Sequence, residues 1–518
     1  MTRSPDGPIS PAESAYQSGI ALAQMERWDQ AHAALLAGSR LAPRDKRFLI
    51  ELAGVAFRLK KQEEAIAYLR RALRLDPGDA YANEFLATLY FVQGNLEAAV
   101  KYWNRCGKPR VQAVRNEPTP RVNPALLDHA FAFAPASTLT LAELQASDAR
   151  LQSLEIFPAY RIDLSARPEG EFDAVFRGQE LNGLGATRVE ALLRTFRGLP
   201  FQEVTPEYFN LGRRAINLSS LVRWDSDKRR LTADLSAPLW QDPRWHFRLG
   251  ADLRNENWNV APGVAVGGGD VLDLNMRREA AAAEISRLLG ARLKWSLGAE
   301  LSHRDYRNVQ AGVSLPADML AQGYQLKQTA QLGYALWRSP EHRFTVSSES
   351  RSDAARFWAN STAWFEKLQG SLGAHWFPRG RGGDFETDGQ FRAGKTFGQP
   401  SFDELFMLGL ERDNDLWMRA HIGTHDGRKG SAPLGRNYFV SNWETDKNLY
   451  SNGFLTVKLG PFVDTGKITD PSAGFGSQKW LWDTGVQLKV KVLNVAAVLS
   501  YGKDLRTGNN TFYSRMGR

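Results

Sequence analysis

From about residue 213 to the end of the chain, apolar and polar residues alternate with a period of two, which restricts this region to extended strands. Leu293, Trp295, Leu297, Ala299 and Leu301 alternate with Lys294, Ser296, Gly298, Glu300 and Ser302. Leu231, Ala233, Leu235, Ala237 and Leu239 repeat the pattern against Thr232, Asp234 and Ser236, and Phe247, Leu249, Ala251 and Leu253 repeat it against Arg248, Asp252 and Arg254. Near the C-terminus Val486, Leu488, Val490 and Val492 oppose Gln487, Lys489 and Lys491. Short turns such as Leu289-Gly290-Ala291 and Ser339-Pro340-Glu341 alternate with long connections such as the glycine-rich Asn259–Asp270, as in a transmembrane β-barrel. At roughly 19 residues per strand and connection, residues 213–518 give about 16 antiparallel strands.

Composition agrees with this reading only because a barrel conceals its apolar face. Mean hydropathy is −0.40, and no apolar run reaches the roughly 18 residues that a helical membrane span needs. The 15 Trp, 14 Tyr and 27 Phe suit interfacial aromatic girdles. The 66 basic and 57 acidic residues are scattered, so the net charge of +9 predicts no nucleic-acid partner. One cysteine, Cys106, excludes an intramolecular disulfide framework. The opening Met-Thr-Arg-Ser-Pro-Asp-Gly-Pro shows no signal-peptide core.

Before the strands, small residues recur at a spacing of 34: Ala31, Ala65 and Ala99; Gly19, Ala53 and Ala87; Gly38, Ala72 and Cys106. Leu35, Leu69 and Trp103 share a large apolar slot, and Pro43 and Pro77 close the first two units. Small residues are needed where paired helices touch, so residues 12–113 resemble three tetratricopeptide repeats and Cys106 reads as a packing thiol. Residues 114–129 read as a proline-rich linker. Residues 130–212 read as a small α/β module with its lead-in: a strand at Phe131–Phe133, a helix from Thr138 to Leu154, a hairpin of Tyr160–Leu164 with Phe172–Arg177, and a helix around Arg188–Phe196. The run Ser147–Phe157 with that hairpin resembles the end of a POTRA domain, the periplasmic module that precedes assembly barrels. The resemblance implies that its strand edges bind extended client segments.

Within the strand region, Phe406–Gly466 carries the sharpest motifs. Ser401-Phe402-Asp403-Glu404-Leu405-Phe406-Met407-Leu408-Gly409 is followed by Met418-Arg419-Ala420-His421, then Phe462-Val463-Asp464-Thr465-Gly466, then Asp483-Thr484-Gly485. Together they resemble the bacterial surface antigen barrels of the BamA/TamA superfamily. The family's loop motif is Arg-Gly-aromatic; here Ala420 and His421 follow the arginine. The resemblance implies an inward-folded loop whose Arg419 pairs with Asp464 on the barrel wall, supported by Ala420, His421, Phe462 and Gly466. It also implies a lateral seam between a first strand near Ala215–Arg223 and a last strand near Thr511–Met516.

Two further motifs point to chemistry that their context opposes. Gly389–Thr396 fits the phosphate-loop spacing, but that loop must open a helix and these residues sit in an alternating strand. His421, His425 and Asp426 would ligate a metal only on a helix, which this glycine-rich stretch excludes. No triad order suggests catalysis, and neither an enzyme nor a metal or other cofactor is predicted. The resemblance implies an outer-membrane protein that inserts, assembles or exports polypeptides. Outer-membrane lipid surrounds the barrel, and the periplasmic repeats and module receive clients or partner proteins. The alternative is a passive pore or polysaccharide exporter on a tetratricopeptide scaffold.

Overall fold

The computed structural model describes residues 10–260, 272–312, 314–316, 318–358, 363–378, 384–469 and 479–517. Most of the Asn259–Asp270 connection therefore lies outside the described residues. The chain divides into two compact units. One holds residues up to Arg115 with Phe133–Leu144 and Asp163–Val175, and the other holds Asn116–Ala132, Gln145–Ile162 and Phe176–Arg518.

The first unit begins with six helices, α1 (Pro11–Gln24), α2 (Trp28–Leu41), α3 (Lys46–Arg58), α4 (Gln62–Leu75), α5 (Ala80–Val92) and α6 (Leu96–Trp103). They pack as antiparallel pairs, and the recurring small residues lie where the helices meet. Ala31, Ala65, Ala99, Ala53, Ala87 and Ala72 are fully buried. A Cβ on Gly38 would stand 2.3 Å from the Phe48 ring, and one on Gly19 would stand 2.5 Å from Leu35 Cγ. At the start of α3, Lys46 Nζ reaches Asp76 at 2.6 Å and Asp79, the N-cap of α5, at 2.5 Å. The Asp76 hydrogen bond leads the interactions that push the Lys46 ammonium up to about 12. Cys106 Sγ lies 3.4 Å from the Ala80 carbonyl oxygen, and burial raises its pKa.

The expected linker is not one. Residues 114–129 contain the end of a strand, β1 (Arg110–Asn116), and a helix, α7 (Pro124–Ala130), whose Asn123 side chain accepts from the Ala125 amide. Prolines that suggested a connector instead flank these short elements. Phe131–Phe133 is not a strand; both rings are buried, and the Phe131 ring meets Phe176 edge-on at 5.8 Å. Strand β2 (Ser137–Thr138), helix α8 (Leu141–Ser153), and strands β3 (Ala159–Ala166) and β4 (Phe172–Gln179) follow, giving a sheet in the order β2-β1-β4-β3. Helix α9 (Arg188–Phe196) comes next, at the expected place.

The second unit is dominated by the barrel. Its strands are β5 (Glu203–Val204), β6 (Glu207–Leu211), β7 (Ile216–Arg223), β8 (Lys228–Leu239), β9 (Asp242–Val260), β10 (Leu272–Leu289), β11 (Leu293–Ala311), β12 (Gly323–Ser339), β13 (Phe344–Trp358), β14 (Trp364–Trp376) and β15 (Phe385–Gly398). A long loop follows, with four two-residue strands, β16 (Phe406–Met407), β17 (Thr424–His425), β18 (Arg428–Lys429) and β19 (Leu434–Gly435). The wall then resumes with β20 (Asn437–Ser451), β21 (Leu455–Thr469), β22 (Leu481–Val492), β23 (Val495–Asp504) and β24 (Asn510–Gly517). Among the described residues the wall is made of β5 to β15 and β20 to β24, and the loop strands β17 and β18 join the same closed sheet.

The wall is inverted relative to a soluble core. On β12, Leu326, Leu332 and Leu336 are exposed while Gln325 and Lys327 are buried; on β11, Leu297 and Leu301 face out while Ser302 and Arg304 face in. This arrangement suits a hydrocarbon surround, in which strands must pair all their backbone groups. Among the described residues no helix is long and apolar enough to cross a membrane. The phosphate-loop look-alike lies in β15, where its glycines make room for rings on β20: a Cβ would stand 2.5 Å from the Trp443 ring at Gly389 and 2.3 Å from the Tyr438 ring at Gly394.

The close approach at Gly38 generates a test. Gly38→Leu must displace Phe48, and such overpacking costs about 1–3 kcal/mol. The first helical melting transition of the full chain, followed by circular dichroism at 222 nm, is expected to shift to lower temperature while the barrel transition stays in place.

Candidate functional site: a loop bolted inside the barrel

The loop between β15 and β20 reaches strands on every side of the ring, so it lies inside. Arg419 is its best-held residue. Its guanidinium makes a two-pronged contact with Asp464 of β21, Nη2 to Oδ1 at 2.7 Å and Nε to Oδ2 at 2.9 Å, and its backbone amide donates to Oδ2 at 3.0 Å. Nη1 donates to Glu444 Oε2 of β20 at 2.6 Å and to Gln487 Oε1 of β22 at 3.0 Å. The Phe462 ring lies 3.9 Å from the guanidinium carbon. A strand's period of two places Phe462, Asp464 and Gly466 on one face, which explains their spacing. Phe462 stacks, Asp464 accepts, and Gly466 leaves space: a Cβ there would stand 3.1 Å from Met418 Sδ.

The two residues that follow Arg419 are both anchored. The Ala420 amide donates to Asp483 Oδ2 at 2.7 Å, and its carbonyl accepts from Thr511 Oγ1 of β24 at 3.0 Å. His421 sits between two carboxylates, Nδ1 3.1 Å from Asp483 and Nε2 3.7 Å from Asp504. Those three residues have a spacing that could hold a metal ion. Both ring nitrogens of His421 face carboxylates. His425 and Asp426 stand exposed in and beside β17, away from this cluster.

Two further ionic hubs were not singled out from sequence. Asp413 of the loop takes Arg223 Nη1 of β7 at 2.9 Å, Arg230 Nη1 of β8 at 2.5 Å and Lys429 Nζ at 3.0 Å. Lys429 also reaches Glu256 of β9 at 2.7 Å. Asp403 and Glu404 form the other hub. Glu404 holds Lys327 of β12 at 3.2 Å and Lys367 of β14 at 2.6 Å, while Asp403 holds Arg304 of β11 at 3.2 Å and accepts from the Tyr306 hydroxyl at 2.8 Å. Loop acids Asp413, Asp403 and Glu404 thus meet basic residues of β7, β8, β11, β12 and β14, loop Lys429 meets Glu256 of β9, and loop Arg419 and His421 meet acids of β20 to β23. A charge at an inward position of an alternating strand is the sequence signal for such partners. Nothing local says which charges meet.

The expected seam residues are placed unevenly. Ala215 is buried in the turn before β7, Arg223 ends β7 within the Asp413 hub, Thr511 anchors the loop, and Met516 faces outward. The strand near Ala215–Arg223 is not the first one, because β5 and β6 pair antiparallel with β7 along its outer edge, Glu203 opposite Arg223 and Tyr208 opposite Leu218. On the other side of the junction β24 pairs in register with β23 from Asn510 to Gly517. Strands β24 and β5 are hydrogen-bonded neighbours, and their pairing closes the ring.

Comparison with known proteins fits this geometry. Tetratricopeptide repeat models match residues 16–80 and 56–105. No curated protein matches the chain. Among solved structures, CdiB from Escherichia coli is similar with a TM-score of 0.51 at 14% identity, covering 79% of this chain and 76% of that one. CdiB from Acinetobacter baumannii has a TM-score of 0.46 at 10% identity over 89% and 86%. BamA from Haemophilus ducreyi lacking POTRA domains 1–3 has 0.45 at 11% over 79% and 84%. The class defined here is a barrel with an inward ion-paired loop. In particular, the fold is similar to that of CdiB from Escherichia coli, here with tetratricopeptide repeats at the N-terminal end.

Asp464 is fully buried, and removing one partner of a buried pair costs about 3–5 kcal/mol. Arg419→Ala and Asp464→Ala are each expected to lower the temperature at which the barrel loses its compact gel mobility and to expose the loop to protease. In the double-mutant cycle a coupling above about 1 kcal/mol is expected; strictly additive effects would refute the pairing.

Proposed function

We propose that this protein is a non-enzymatic outer-membrane barrel that inserts, assembles or translocates polypeptides. In this reading the outward apolar face of the wall lies in outer-membrane lipid. The repeats and the α/β module, read as POTRA-like, stand in the periplasm and receive clients or partner proteins, with no nucleic acid involved. The observation that carries the reading is the loop from Gln399 to Arg436, tied across the interior to β7, β8, β9, β11, β12 and β14 on one side and β20 to β24 on the other. Its ion pairs fix one loop position through charge-assisted hydrogen bonds. A passive pore or polysaccharide exporter needs an open lumen, which such a loop obstructs.

Two measurements test the function. Cell fractionation with heat-modifiable gel mobility is expected to place the chain in the outer membrane as a compact barrel. Proteoliposomes containing it are expected to speed the protease-protected insertion of a urea-unfolded outer-membrane barrel over empty liposomes. No acceleration, together with a large and steady conductance in planar bilayers, would favour the exporter instead.

A further inference from the structure

Three aspartates stand in a row on the inner face of the wall. Asp464 of β21 lies directly opposite Asp483 of β22, and Asp483 lies directly opposite Asp504 of β23. Asp464 and Asp483 have no exposed surface, and Asp504 is buried with them. Like charges opposite one another on neighbouring strands repel, and burial strengthens the repulsion because little water screens it. The guanidinium of Arg419 answers the first of the three. Among the described residues, the ion-pair partner of the other two is His421.

A neutral imidazole alone does not match that pair, because it carries one N–H and one lone pair. With Nδ1 donating to Asp483 Oδ2 at 3.1 Å, the lone pair of Nε2 is turned toward Asp504 Oδ2 at 3.7 Å. That distance is too long for a hydrogen bond, and it is close to the roughly 3.4 Å that separates two ligands of one tetrahedral zinc ion. A hydrogen bond from one ring nitrogen to a carboxylate is also how a metal-bound histidine is oriented, leaving the other nitrogen for the ion.

The carboxylates point the same way. Asp483 Oδ2 accepts from the Ala420 amide at 2.7 Å as well as from the ring, but its Oδ1 is buried and accepts from no described residue. A buried carboxylate oxygen without a donor is costly, and a cation satisfies it. Asp504 is fixed in place, with Oδ1 accepting from the Arg506 amide at 2.8 Å and Oδ2 from the Thr507 hydroxyl at 2.6 Å. One ligand-type atom from each of His421, Asp483 and Asp504 lies within 4.8 Å of the other two. His375, Glu386 and Asp388 have a similar spacing elsewhere on the wall, but there Lys458 already pairs with Glu386 and all three side chains are partly exposed.

We propose that His421, Asp483 and Asp504 bind one divalent transition-metal ion, Zn2+ by its chemistry, which clamps the inward loop to β22 and β23. Nδ1 is engaged by Asp483 Oδ2, so the ring offers Nε2, and Asp483 offers the oxygen that has no donor. An imidazole among the ligands favours zinc over calcium or magnesium, which take oxygen ligands. Two carboxylates balance the ion's two charges. One ligand is on the loop and two are on the wall, so the ion binds the docked loop and stabilises that position by mass action. No spacing rule joins positions 421, 483 and 504, which come from the loop and two strands. This inference does not depend on what the barrel transports.

The test uses the full chain in bilayer nanodiscs, with Cys106→Ser to remove its one thiol, the purification tag cleaved off and metal stripped by chelator. Calorimetric titration with Zn2+ is expected to show one ion per chain, and Co2+ in its place should give the visible absorption of a tetrahedral site. Asp504→Asn and His421→Gln should each weaken binding at least tenfold, while His375→Gln should leave it unchanged. Zn2+ should slow protease cleavage of the loop, and chelator should restore it, in the parent chain but not in Asp504→Asn. Compact gel mobility checks that each variant is folded; if His421→Gln fails that check, Asp504→Asn decides alone. Binding of equal strength in the parent and in Asp504→Asn, loss of binding in His375→Gln, or no binding at micromolar Zn2+ would overturn the site. Loop protection that is lost as pH rises and is indifferent to Zn2+ would overturn it too, and would assign the clamp to a protonated His421.

Discussion

The buried contact between Arg419 and Asp464 is the constraint on which the rest of the barrel interior depends. A carboxylate with no exposed surface is costly unless its oxygens are satisfied, and Asp464 accepts from the Arg419 side chain, the Arg419 amide and Asn442. One residue of the loop is thereby fixed against β21, and its neighbours follow: the amide of Ala420 falls on Asp483 and the carbonyl on Thr511. Gly502 of β23 lies opposite, where a Cβ would stand 2.6 Å from the Arg419 carbonyl oxygen. The loop backbone is therefore pressed against the wall.

Once that side is fixed, the two acidic hubs stretch the loop across to the opposite wall. Asp413 lies between basic residues of β7 and β8, and Asp403 with Glu404 lies among those of β11, β12 and β14. Loop Lys429 adds a pair of the opposite sense on the same side, to Glu256 of β9. Arg223 belongs to this network and to the seam at once, since it holds Glu203 of β5 at 2.8 Å as well as Asp413. The inward loop and the junction are thus mechanically joined, and Arg412 on Phe201 adds a second link.

Much of this was legible in the residues. Period-two alternation marked the strands, the spacing of 34 marked the helical pairs, and Phe462-x-Asp464-x-Gly466 pointed to the face that receives Arg419. A helix was read around Arg188–Phe196, where α9 forms. Reading failed where prolines outweighed short elements, as in 114–129, where β1 ends and α7 forms, and at Phe131–Phe133, where two buried rings imitate a strand. It also failed at the junction, because β5 and β6 are brief and broken by Pro206, so that Ile216–Arg223 looked like the beginning of the wall.

Periodicity is a property of near neighbours, so the sequence by itself determined which segments are strands, which are helices and which faces are apolar. Tertiary structure alone decided that Asp413 meets Arg223 across 190 positions and that Glu404 meets Lys327 across 77. Each of those depends on closing a ring, which brings together residues whose local patterns carry no information about one another. Strand direction at the junction is decided in the same way, by the parity of all the pairings that precede it.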